Sequence, residues 1–203
     1  MIRETTYQEI QDSQRHFRTL LDSMSRPGKL NRFAPVALTP PPGLHRAAAY
    51  VGLALLNADA SFHAESLSPA AVDYLRANTH APVASQPTQA DFIFVNGLEP
   101  RADGLLAEAR VGQPAYPETG ASLVVQVSTL GKSSHTGGLQ LELVGPGIES
   151  REIVFVHGLR AEILQTLRVK NQEFPLGIDL ILVSEDETLL CLPRTTKITW
   201  SAV

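Results

Sequence analysis

The chain has 203 residues, 43% of them hydrophobic and 19% charged, enough to bury a core in one domain, two at most. With 17 Lys and Arg against 21 Asp and Glu the net charge is −4, so no cationic excess is available to neutralise a nucleic-acid backbone or an anionic membrane surface. The most apolar window, Ala47–Leu56, is about half of the ~20 residues a spanning helix needs and lies away from the N-terminal position of a signal peptide. The single cysteine, Cys191, excludes an internal disulfide and a multi-cysteine metal site and suits a reducing cytoplasm.

Taken in chain order, Tyr7, Ile10, Phe17, Leu20, Leu21 and Met24 recur at helical spacing, and Thr6 with Glu9 predicts a capping box at the start of that helix. Pro27 and Gly28 stop it. After an extended piece to Phe33, Pro40-Pro41-Pro42-Gly43 reads as a surface connector. Core-facing helices are expected over His45–Asn57 and Pro69–Asn78, the second with Pro69 in its first turn. From Asp91 onward the texture becomes β: Phe92–Val95, Ser122–Leu130, Leu139–Val144 and Ile153–Val156 are short runs read as strands from their β-branched and aromatic residues. The Gly131–Gly138 loop is expected to join two of these as an antiparallel hairpin. Leu159–Asn171 returns to helical spacing, and Ile178–Val183 and Thr188–Leu192 form a second hairpin across residues 184–187. The pattern predicts an α/β protein, a mixed β-sheet flanked by helices.

Familiar catalytic motifs are missing. Gly131-Lys132-Ser133 mimics the end of a phosphate-binding loop, but Gln126 stands where its first glycine belongs. Gly145-Pro146-Gly147 lacks the third glycine of a dinucleotide fingerprint and reads as a turn. The histidines at 16, 45, 63, 80, 135 and 157 show no zinc spacing, and Cys191 lies in an apolar run that suppresses its nucleophilicity.

One feature is unusual on physical grounds. Asp179 interrupts Phe174-Pro175-Leu176-Gly177-Ile178-Asp179-Leu180-Ile181-Leu182, a stretch otherwise patterned as a strand buried on both faces, and a charge there needs a partner. If residue 183 pairs with 188, then 179 lies opposite 192 and Arg194 is a diagonal neighbour on the same face, so an Asp179–Arg194 ion pair is expected. It either pins the hairpin or faces a ligand.

The same residues carry a family resemblance. Phe174–Ile181 followed by Leu192-Pro193-Arg194-Thr195-Thr196 resembles the C-terminal signature of the H component of the bacterial carbon-phosphorus lyase (phosphonate metabolism) core complex. Phe17-Arg18, Leu20-Leu21 and Met24-Ser25 ahead of Pro27-Gly28 resemble the same family, as do Ala81-Pro82, Ser85-Gln86-Pro87, Pro117-Glu118, Gly120-Ala121 and Gly145 with Gly147-Ile148. The Gly131–Gly138 loop departs from it. The resemblance implies a trimmed large domain of the PLP-dependent transferases without the cofactor. It also implies a homodimer and an accessory role beside subunits G, I and J in making a ribose 1-phosphonate triphosphate from ATP and a phosphonate.

No catalytic residue and no metal site is expected. A PLP enzyme needs a desolvated lysine, and Lys29, Lys132, Lys170 and Lys197 all lie in polar or terminal positions. Arg18, Glu118, Asp179, Arg194 and Thr195 are the candidates for a vestigial pocket or a subunit contact, the two arginines being suited to hold phosphate or carboxylate. The first helix and Ala47–Leu56 are candidate interface segments. The competing reading is a free-standing enzyme or binding protein that grips a phosphorylated small molecule between Arg18 and Arg194.

Overall fold

The computed structural model describes residues 4–133 and 136–203. Its helices are α1 (Gln11–Ser25), α2 (Arg46–Leu55), α3 (Pro69–Thr79), α4 (Ala102–Glu108) and α5 (Ala161–Lys170). Its strands are β1 (Asn31–Arg32), β2 (Phe62–His63), β3 (Phe92–Asn96), β4 (Ser122–Val127), β5 (Thr129–Gly131), β6 (Leu139–Val144), β7 (Glu152–His157), β8 (Asp179–Ser184), β9 (Thr188–Leu192) and β10 (Lys197–Ala202). A six-stranded mixed sheet runs β1-β9-β8-β4-β3-β2, with β2, β3, β4 and β8 mutually parallel. A second sheet, β10-β6-β7-β5, is wholly antiparallel. The expected α/β class, a mixed sheet flanked by helices, is present; the second, antiparallel sheet was not expected.

The central strands divide their side chains between two cores, as their period of two requires. Ile181 and Val183 of β8 join Val124, Phe94, Ala47–Val51 and Leu75 under α1, α2 and α3. Leu180 and Leu182 face the other way, onto Leu123, Val125, Leu105, Ile163, Leu164 and the inner face of the second sheet. Both sides of the parallel strands are therefore covered, which explains their unbroken apolar runs. In β6, Leu139, Leu141 and Leu143 are buried while Gln140 and Glu142 are half-buried, the alternation of a one-sided sheet.

Several sequence expectations need correction. The capping box does not form: α1 starts at Gln11, Thr6 Oγ1 donates to the Ala37 carbonyl (2.7 Å), and the Asp12 carboxylate takes the Gln8 N–H (2.9 Å) instead. Ile10, Phe17 and Leu21 are exposed, because the helix buries Leu20, His16 and Ser23 on its other side. Ala47–Val51, offered as a candidate interface, is fully buried within the chain. The run at 122–130 is two strands, split at Ser128 as the chain passes from one sheet to the other. The hairpin across residues 131–138 is absent, since β7 lies between β5 and β6 and pairs with both. Sequence reading also passed over β2, α4 and β10, which are short or polar: β10 has its side chains half-buried or exposed throughout.

The hairpin of β8 and β9 forms one residue out of the expected register, with Val183 opposite Leu189 and Leu180 opposite Leu192. The cause is local. Glu187 adopts a left-handed conformation (φ 69°) after the turn begun at Ser184, inserting one extra residue as a bulge. The stop after α1 is as expected: Gly28 has φ 90°, and any side chain there would strike Glu152.

Candidate functional site

Asp179 opens β8 and Arg194 lies in the turn that carries the chain from β9 in the first sheet to β10 in the second. The expected ion pair forms despite the shifted register. Arg194 Nη2 donates to Asp179 Oδ2 (2.7 Å) and Nε to Oδ1 (3.2 Å), while the Arg194 backbone N–H reaches the same Oδ1 (2.7 Å). The geometry is a bidentate fork reinforced by the main chain. Arg194 Nη1 also donates to the Pro117 carbonyl (2.8 Å), tying a third segment to the pair. Gly120 is required beside it, because a Cβ there would lie 2.5 Å from the Gly177 carbonyl and 2.9 Å from Arg194 Nη1. Asn171 completes the frame by accepting from Ile178 N (2.7 Å) and donating to Ile178 O (3.0 Å).

Beside the pair opens a cleft of about 650 Å³ between α5, the 172–176 segment and the turn into β10. Arg194, Thr195, Thr196 and Lys197 form one wall, Leu164, Leu167 and Arg168 the other, and Phe174 stands exposed at its edge. Arg168 is placed with its guanidinium 5.9 Å from the Trp200 ring centre, a cation–π arrangement.

The five candidates do not converge. Asp179, Arg194 and Thr195 share this corner, but Arg18 is exposed on α1 and lines a separate groove with Arg15, Asp22 and Arg32. Glu118 projects into solvent, its neighbour Pro117 serving the site through the backbone alone. Within one chain Arg18 and Arg194 line different cavities and do not face one shared pocket. Arg168 and Thr196 were missed. The helical spacing of 159–171 did place Arg168 beside Leu164 and Leu167, but nothing in the sequence said that β10 would run along that edge.

The other candidates are accounted for by their contacts. Lys29 pairs with Asp22 (2.7 Å), Lys132 with Glu152, and Lys170 donates to the Ala109 carbonyl (3.0 Å), with burial lowering its pKa. Lys197 is exposed in the cleft. Among the described residues no three His, Cys, Asp or Glu side chains converge as a metal site; His135 lies outside the described residues. Cys191 is fully buried, and burial pushes its thiol up to about 12. The turn at 145–147 is structural, Gly147 packing on the C-terminal end of α1 beside Ser25 and Pro27. No helix among the described residues is long and apolar enough to cross a membrane.

Comparison with known proteins bears on the same residues. The chain is 33% identical over 194 residues to the alpha-D-ribose 1-methylphosphonate 5-triphosphate synthase subunit PhnH of Rhizobium meliloti, covering 92% of this chain and 90% of that one. It is 42% identical over 100 residues to a putative C-P lyase subunit protein, HtxG, of Stutzerimonas stutzeri, 48% of each chain. The model of the bacterial phosphonate metabolism protein (PhnH) family matches residues 5–199, a span that contains the Asp179–Arg194 pair and every residue lining the cleft, and the chain belongs to that family.

Proposed function

We propose that this chain is an accessory subunit of the carbon-phosphorus lyase core complex, supporting formation of ribose 1-phosphonate 5-triphosphate from ATP and a phosphonate without supplying catalytic residues of its own. The observation that carries this reading is the 33% identical match to a synthase subunit over 92% of the chain, together with a family match over residues 5–199 that takes in the candidate site. In the same reading the chain acts as one domain, forms a homodimer, and works in the cytoplasm with subunits G, I and J. Ile10, Phe17 and Leu21, exposed at 85%, 47% and 57%, supply the apolar surface that association requires. We further read the six-stranded mixed sheet as a trimmed PLP-transferase large domain. The lysine contacts favour loss of the cofactor, since three of the four are held by carboxylates or a carbonyl and Lys197 is exposed.

Native mass spectrometry of the tagged chain from phosphate-starved source cells tests the subunit reading. A species with two copies plus larger partner chains is expected. A monomer or dimer without partners, at physiological concentration, overturns it.

A further inference from the structure

We propose that the cleft between α5 and the turn into β10 is a binding site for an organic phosphate with an apolar or aromatic body. Its volume, about 650 Å³, falls in the range of small-molecule sites. The charge of its lining is the first argument. The chain carries a net charge of −4, yet no Asp or Glu lines the cleft while Arg168, Arg194 and Lys197 do. Arg194 is already neutralised by Asp179 and serves as wall. Arg168 and Lys197 are exposed and, among the described residues, neither has a carboxylate within ion-pair distance, whereas Arg76, Arg101, Arg110, Arg160 and Lys29 all do.

Thr196 gives a second, independent argument. It lines the cleft, is only 6% exposed, and its Oγ1 is buried without a hydrogen-bond partner. A hydroxyl in that state at the cleft wall leaves a donor for a polar atom of a ligand to satisfy. A phosphate ester offers three acceptor oxygens, enough for two cations and a hydroxyl together, where a carboxylate offers two. Leu164 and Leu167 provide an apolar floor, and the exposed Phe174 ring provides a face on which a planar group can stack. The proposal is independent of whether the chain works within an assembly.

Trp200 is the only tryptophan of the chain and lies against Arg168, so its fluorescence reports occupancy, with titration calorimetry supplying Kd. The probes are phenyl phosphate and inorganic phosphate, added to the full-length chain and to the purified assembly. Phenyl phosphate is expected to bind at least about tenfold more tightly than inorganic phosphate, reflecting one buried ring. Arg168→Gln and Lys197→Gln should each weaken phenyl phosphate by about tenfold, the loss of one charge-assisted hydrogen bond. Phe174→Ser should weaken phenyl phosphate alone, and Arg18→Gln, in the separate groove, should change neither probe. Absence of saturable binding, equal affinity for the two probes, or an equal effect of Arg18→Gln overturns the proposal. So does a result in which Arg168→Gln and Lys197→Gln strip partner chains from the assembly while no probe binds, which would assign the cleft to an acidic protein segment. Failure of the subunit reading is scored separately, by the composition of the wild-type assembly.

Discussion

The two cores of this protein each hold a polar constellation, one deep within its core and one at the edge. On the α1 side, His16 is wholly buried with its ring among Phe33 and Tyr50, 5.3 and 4.3 Å between centres. Its Nε2 faces the Ala34 carbonyl (2.9 Å), which can only accept, so Nε2 carries the proton and Nδ1 accepts from the Tyr7 hydroxyl (3.3 Å). The group is neutral, and burial lowers its pKa. On the α5 side, Asp179 and Arg194 form an ion pair, retain 24% and 15% of their side-chain surface, and join three chain segments. The difference teaches that a neutral group can sit deep if each polar atom finds a partner, whereas an ion pair is kept at the edge, where water offsets part of the desolvation cost.

Removing one partner of the charged pair should show the larger effect. Arg194→Met leaves the Asp179 carboxylate with the backbone N–H of residue 194 alone and releases the Pro117 carbonyl, so a loss of about 2–4 kcal/mol is expected in urea unfolding. A loss under ~0.5 kcal/mol would show that the pair is as dispensable as a surface contact.

The neutral cluster should be distinguished by pH. Burial lowers the pKa of His16 and His45 below the usual 6.5, so the unfolded chain takes up protons at a higher pH than the folded one. Their contribution is therefore complete above about pH 6.5 and is lost as pH falls through the folded values. The urea midpoint should fall on acidification, and His16→Leu should flatten that fall while costing about 1–2 kcal/mol near neutrality for the unpaired Tyr7 hydroxyl donor and Ala34 carbonyl. An unchanged acid slope in the variant would place the sensitivity elsewhere.

The smallest effect sharpens the contrast. Lys29 and Asp22 form a pair of similar length, 2.7 Å, but at the surface beyond α1, so Lys29→Ala should change stability by less than ~1 kcal/mol and less still in high salt. A larger value, measured by the same unfolding experiment, would mean that burial does not separate the two ion pairs.

Much of the site was legible, for a definite reason. A carboxylate inside an apolar strand signals a partner, and Arg194 lay within reach on either register, so the one-residue error caused by the Glu187 bulge left the pair intact. The rest was not legible because it depends on which strands become neighbours. Arg18 belongs to a helix on the other side of the central sheet, and no local pattern shows that. The missed hairpin has the same origin: residues 129–144 contain two good strands, but β7, arriving later in the chain, separates them.

By itself the sequence determined the α/β class, the limits of most helices and strands, the fully covered central strands and the Asp179–Arg194 pair, because periodicity, helix stops and buried charge act over a few residues. Only the tertiary structure decided the second sheet, the separation of Arg18 from Arg194, and the cleft that sets Arg168, Thr196 and Lys197 together. Those features arise from pairings between segments far apart in the chain, whose energies rest on mutual packing and leave no mark on either segment alone.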